Sequence, residues 1–227
     1  MSSYKWPPLE SDPEIFTEYF EKMGLPENIR FNELYTIDYK EVQPIDGEVL
    51  SVIINYENNP SNLLHRNPDN FKSSENFPFY MKQKDDLDYA CGLIAGLHSI
   101  GNNLNKINLI PTMALSNYYE NATNKTPEER AKILCEDNSM KNAHISHAVM
   151  GQSNLPENPE EVKNHFVSFN YVNGSIYEFD GMMQGVYLIK SNVPQENFFD
   201  DTLAEISSRL TNQNITENLS IIFMSKL

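Results

Sequence analysis

The stretch "HFVSFNYVNGSIYEFDG", residues 165–181, constrains the fold more than any other. Two alternating runs flank Asn173-Gly174, a dipeptide suited to a type I′ turn. Strands joined this tightly lie antiparallel, and the turn fixes their register. Val172 then opposes Ser175, and the same offset places His165 opposite Met182 and Asp180 opposite Val167. Alternate residues share a face. His165 and Asp180 are therefore diagonal neighbours on one face, about 7–8 Å apart at the backbone and within reach of longer side chains. A carboxylate beside an imidazole fixes its tautomer and supports the imidazolium form. The alternative is a half-buried strand that happens to carry both residues.

The remaining pattern suits one mixed α and β domain over residues 1–227, with no repeats and no obvious linker. "SDPEIFTEYFEKMG" predicts a helix capped by Ser11 or Asp12, with Pro13 in its first turn and Gly24 and Pro26 ending it. "FNELYTID" is a candidate strand or short helix, "EVLSVIINYE" a buried strand, and "FYMKQ" a short strand. From about Leu87 the period changes. Ala90, Leu93, Ile94, Leu97 and Ile100 recur at helical spacing. Further helices are expected over roughly 109–120, over "TPEERAKILCED" with Thr126 as N-cap, and near 201–210. "LSIIFM" is a last strand. Residues 139–161 have weak periodicity and read as a long loop, which in a compact domain is usually functional or mobile.

Net charge excludes some partners. It is −15, with a pI near 4.7. That argues against nucleic acid and anionic membrane surfaces. A basic partner would be steered in by the same charge; the plain alternative is that the charge maintains solubility. The N-terminus lacks the pattern of a signal peptide. No apolar run is long enough to span a bilayer. Two cysteines, Cys91 and Cys135, cannot form a disulfide scaffold, so a reducing compartment is expected, cytoplasmic and also nuclear.

A nucleophilic cysteine needs a base, and the base needs an orienting group. Cys91 is preceded by Asp85, Asp86 and Asp88, which look hostile to a thiolate. If Asp88 caps the following helix, Cys91 stands at its third position, where free N–H groups favour an anion. Asp85 and Asp86 then belong to a solvated turn. Of the five histidines, His98 is two helical turns from Cys91, roughly 10 Å away, and reads as a packing residue. His65 sits in a polar loop, and His144 and His147 read as surface residues of the long loop. The His-x-x-His spacing of that last pair lacks further ligands for a metal. His165, with Asp180, remains as the base.

In this order, helix cysteine, strand histidine, strand aspartate, the chain resembles the ubiquitin carboxyl-terminal hydrolases, in particular the small single-domain members. The likeness is carried by "KWPPLESDPEIF" (with Asp12 where Asn is usual), "YMKQ" and "ACG", "TPEERAKIL", "GQS" and the His165-to-Asp180 block with its fifteen-residue interval. It implies an α+β fold, a central antiparallel sheet enclosed by helices, with a papain-like cysteine-protease core. It also implies a knotted chain path and a crossover loop, roughly 139–161, passing over the active-site cleft. Cys91 would be the nucleophile, His165 the general base and acid, and Asp180 its orienting group. Gln83 would be the side-chain donor to the oxyanion. Pro8, Leu9 and Glu33 would contact ubiquitin. The expected activity is hydrolysis of small adducts or short peptides from ubiquitin's C-terminal glycine, by a monomer, with no cofactor or metal. Nedd8 or another ubiquitin-like modifier is a further candidate substrate. A basic ubiquitin face and an arginine-rich tail would explain the acidic charge.

The sequence departs from the family again between Gln83 and Cys91. The interval from Gln83 to Cys91 is longer by two positions, with Tyr89 and Leu93 where Asn and Thr are usual. The extra residues either bulge outward or displace Gln83. The competing readings are a non-catalytic or weakly active ubiquitin-binding protein of the same fold, and a papain-like protease of unrelated substrates.

Overall fold

The computed structural model describes residues 4–38, 45–58, 66–87, 89–151 and 162–227. Helix α1 (Pro13–Lys22) leads into β1 (Ile29–Glu33), β2 (Glu48–Glu57) and the short β3 (Phe71–Lys72). Four helices follow: α2 (Cys91–Gly101), α3 (Ala114–Ala122), α4 (Pro127–Glu136) and α5 (Asn138–Ala148). The chain closes with β4 (Asn164–Val172), β5 (Ser175–Phe179), β6 (Val186–Ser191), α6 (Phe198–Thr211) and β7 (Leu219–Lys226). The strands form one seven-stranded sheet in the order β1-β7-β2-β4-β5-β6-β3, every neighbouring pair antiparallel.

The sheet is covered on both faces, and this follows from β2. Its run "EVLSVIINYE" is apolar on both sides of the pleat. Ile53 joins a core with Phe16, Phe20, Leu93, Leu97, Phe166 and Ile222, beneath α1 and α2. Val52, Ile54 and Tyr56 join a second core with Val167, Phe169, Leu203 and Ile206, beneath α6. Every residue of α2 is buried. Such a helix needs small residues where neighbours come close: a Cβ on Gly96 would lie 2.1 Å from Phe20 Cζ.

The hairpin has the predicted register, from Val172 opposite Ser175 to Ser168 opposite Phe179. Asn173 (φ 48°) and Gly174 (φ 78°) both have positive φ, as a type I′ turn requires. Pairing stops at Phe179, so Asp180 begins a turn rather than continuing the ladder.

Four expectations are corrected. "FYMKQ" is not a strand. Its backbone N–H groups go to scattered partners instead: Met81 to His98 Nε2 (3.0 Å), Phe79 to Asn102 Oδ1 (3.3 Å), Lys82 to Pro127 C=O (3.1 Å) and Gln83 to Gly181 C=O (2.9 Å). The long loop begins as a helix, α5, because Asp137 caps it by accepting from Met140 N–H (3.0 Å). His144 and His147 are buried, since α5 turns them inward onto Tyr19. Cys91 is the first residue of α2, not the third; its N-cap is Ala90, with no side-chain cap bond. Asp88 lies outside the described residues, as do His65 and residues 152–161, where the rest of the expected crossover loop and its part in the knotted path fall.

Candidate active site

Three elements converge at one end of the sheet. α2 begins with Cys91, β4 carries His165 in its second position, and Asp180 opens the turn after β5. All three side chains are buried, Cys91 7% exposed, His165 4% and Asp180 2%. His165 Nε2 lies 2.9 Å from Asp180 Oδ1. Cys91, at the start of α2, acts on the same ring. Asp180 Oδ1 also accepts from Met182 N–H at 2.9 Å, which fixes the carboxylate against its own turn.

The electrostatics follow from these contacts. Burial opposes a charged His165. The Asp180 carboxylate, its hydrogen bond and the Cys91 sulfur outweigh that, and raise the imidazole to about 10. Burial likewise opposes an ionised Asp180, yet its carboxyl is held below its usual range. The causes are His165, the bond to it, Arg66 and Met182 N–H. An imidazolium standing between a carboxylate and a sulfur is the arrangement that accompanies a cysteine thiolate. As the first residue of α2, Cys91 also has a backbone N–H with no partner inside the helix.

Gln83 is fixed close to this cluster. Its backbone N–H donates to Gly181 C=O at 2.9 Å, one residue past Asp180. A Cβ on Gly181 would lie 2.9 Å from Gln83 N, so the two segments are in direct contact. The neighbours of Gln83 hold the same turn. Tyr80 O–H donates toward Asp180 C=O (3.0 Å) and Met183 C=O (2.7 Å), and Lys82 Nζ donates to Met183 C=O. Beyond Gln83, Asp85–Leu87 coil into one 3₁₀ turn and Leu87 is buried. Nothing in the sequence marked Tyr80 or Lys82, because their partners are backbone carbonyls a hundred residues away.

The other expected site residues are dispersed. Pro8 is half-buried and Glu33 is exposed. Leu9 is buried at 4% exposure and packs toward Gly92, next to Cys91. His98 is a packing residue, stacked on Tyr80.

Comparison with known proteins agrees with this geometry. The pattern of the family described as "Ubiquitin carboxyl-terminal hydrolase, family 1" matches residues 6–211. The chain belongs to that family. It is 31% identical over 182 residues to a probable ubiquitin carboxyl-terminal hydrolase of Dictyostelium discoideum, covering 78% of this chain and 71% of that protein. It is 28% identical over 230 residues to ubiquitin carboxyl-terminal hydrolase 3 of Arabidopsis thaliana, covering 99% of this chain and 96% of the relative. The fold is similar to that of the Trichinella spiralis UCH37 catalytic domain bound to ubiquitin vinyl methyl ester. There the TM-score is 0.76 at 18% identity, over 100% of this chain and 98% of the other. The family is one of thiol hydrolases, and the α+β sheet enclosed by helices is its papain-like fold.

Proposed function

We propose that this member of the family is a cysteine deubiquitinase acting through Cys91, His165 and Asp180, with Gln83 and the Cys91 N–H as oxyanion donors. The observation that carries the reading is the buried His165 imidazole, held between a carboxylate and the sulfur at the start of α2. The Cys91 thiolate attacks the carbonyl of ubiquitin's C-terminal glycine. The tetrahedral oxyanion is met by preorganised N–H donors, a contribution worth about 3–4 kcal/mol per donor in hydrolases. Imidazolium His165 gives its proton to the departing amine. As neutral imidazole it then takes one from water, which hydrolyses the thioester. Asp180 keeps the ring's orientation through both halves.

Ubiquitin is the proposed partner. The structural relative above is bound to ubiquitin vinyl methyl ester, and the −15 charge here suits a basic protein surface. Pro8, Leu9 and Glu33 are the proposed contacts. Leu9 would act from beneath, by shaping the segment that carries Pro8. The proposed leaving groups are small adducts and short peptide extensions.

The test is hydrolysis of a fluorogenic amide of ubiquitin's C-terminus, with the matching Nedd8 amide beside it. Turnover is expected from wild type and from Cys135→Ala, and none from Cys91→Ala. Equal activity in the two variants would sink the nucleophile assignment. No turnover from wild type, with ubiquitin still bound, would favour the non-catalytic reading. Gln83→Ala should lose roughly 10²-fold in rate; an unchanged rate would remove it from the oxyanion site.

A further inference from the structure

Behind Asp180 lies a second set of buried charges that the reaction above does not use. Glu178, on β5, precedes Asp180 by two residues, and its side chain is fully buried. One carboxylate oxygen accepts from Arg66 Nη2, the other from Arg209 Nη2 at 2.8 Å. Both guanidinium groups are buried as well. Arg209, on α6, also binds Glu205 through Nε at 2.7 Å. Arg66 is not consumed by this pair. Its Nε and Nη1 have no hydrogen-bond partner among the described residues, nor has Asp180 Oδ2, and its charge acts on Asp180 through space.

Such an array is expensive. Desolvating charges costs several kcal/mol each, and well-packed apolar residues of similar volume are often as stable or more so. Stability is therefore a poor reason for building it beside Asp180. Glu178 at the end of β5 and Asp180 in the turn just after it repel each other in the ionised form. Arg66 and Arg209 neutralise Glu178 and leave Asp180 free to pair with His165.

We infer that Glu178, clamped between Arg66 and Arg209, is a positioning residue for the Asp180–His165 pair, its array setting the field in which the imidazolium is held. This rests on the active-site reading above. The other groups around the pair are Cys91 from α2 and Tyr56 from β2, which faces His165 across the ladder. Tyr80, Lys82 and His98 also feel Asp180's charge.

The sign of the effect separates a field from a merely structural support. Glu178→Gln removes a negative charge and should lower the titration midpoint of His165. Arg66→Met removes a positive charge and should raise it. Each shift should be on the order of one pH unit, read by NMR titration of the His165 imidazole in the full chain. The alkaline limb of kcat/KM on the ubiquitin amide should move with it. Arg66→Lys should leave both in place. Shifts of the same sign, or none in folded variants, would overturn the inference. If Glu178→Gln fails to fold, Arg66→Met against Arg66→Lys decides alone. The imidazole titration needs no turnover, so failure of the activity reading stays distinguishable from failure of this one.

Discussion

His165 and His144 are both buried, yet their surroundings push their charge in opposite directions. His144, on α5, donates from Nε2 to Pro7 C=O at 2.6 Å and accepts at Nδ1 from Tyr19 O–H at 3.3 Å. Trp6 packs beside it. Its partners are neutral, so burial dominates and lowers it to about 4. His98 follows the same course, lowered to about 4 by burial, with Met81 as its backbone partner. His165 has the same degree of burial plus one carboxylate, and rises to about 10. Burial is shared by all three. What separates His165 from the packing histidines is the chemistry of its neighbours, Asp180 first and Cys91 after it.

Removing the first of these neighbours is the largest test. Asp180→Asn should send His165 the way of His98, with its titration midpoint falling below 6.5. Activity should drop by roughly 10²- to 10⁴-fold, since the ring loses both its orientation and its positive charge. An imidazole that still titrates near 10 in this variant would mean the sulfur alone holds the proton, and the comparison would break.

The next effect is on stability. His98 and His144 have folded-state pKa values below the unfolded value near 6.5. The unfolded chain therefore binds more protons between about pH 6.5 and 4, and stability falls as pH drops through that window. Each contributes about 3 kcal/mol by pH 4. His165 has a raised value, so its contribution is fully present below 6.5 and is lost as pH rises toward 10. Urea midpoints across pH should show the acid slope reduced in His144→Gln and the alkaline slope reduced in His165→Gln. Matching slopes in the two variants would erase the distinction.

The smallest effect concerns the helix that presents Cys91. Gly96→Ala drives a Cβ into Phe20 and should cost about 1–3 kcal/mol, read as a lowered melting temperature, with kcat nearly unchanged while the protein is folded.

Much of this was legible from local chemistry. A two-residue turn with Asn-Gly allows one register, which holds as far as Ser168 opposite Phe179; the counted pairings of Asp180 with Val167 and His165 with Met182 do not form, though His165 and Asp180 still meet. Thr126, Pro127 and Glu129 form the capping box they spell. Elements whose partners are distant were not legible. "FYMKQ" has strand-like residues, but its N–H groups are met by α2 and its C-cap, by Pro127 and by Gly181 rather than by a ladder. His144 and His147 sit on a helix of weak periodicity, and only the packing of Trp6 and Tyr19 against it buries them. The Asp88 cap assumed that a helix must start on a polar side chain. α2 starts on Ala90, leaving its first N–H groups for something other than a cap.

The clasp between residues 80–83 and the turn at 180–183 has a consequence for how such a chain can vary. Gln83 is moored to the sheet's own turn, and Cys91 to a helix locked in the core. Their separation in space is set by those two anchorages, and the described peptide between them makes one 3₁₀ turn with Leu87 buried. If Gln83 serves the oxyanion as proposed, the length of this stretch matters less than whether both anchorages are kept. Loop length at this point is thus a poor guide to whether a relative is competent. The integrity of the mooring, Tyr80 and Lys82 against the carbonyls of Asp180 and Met183, is a better one.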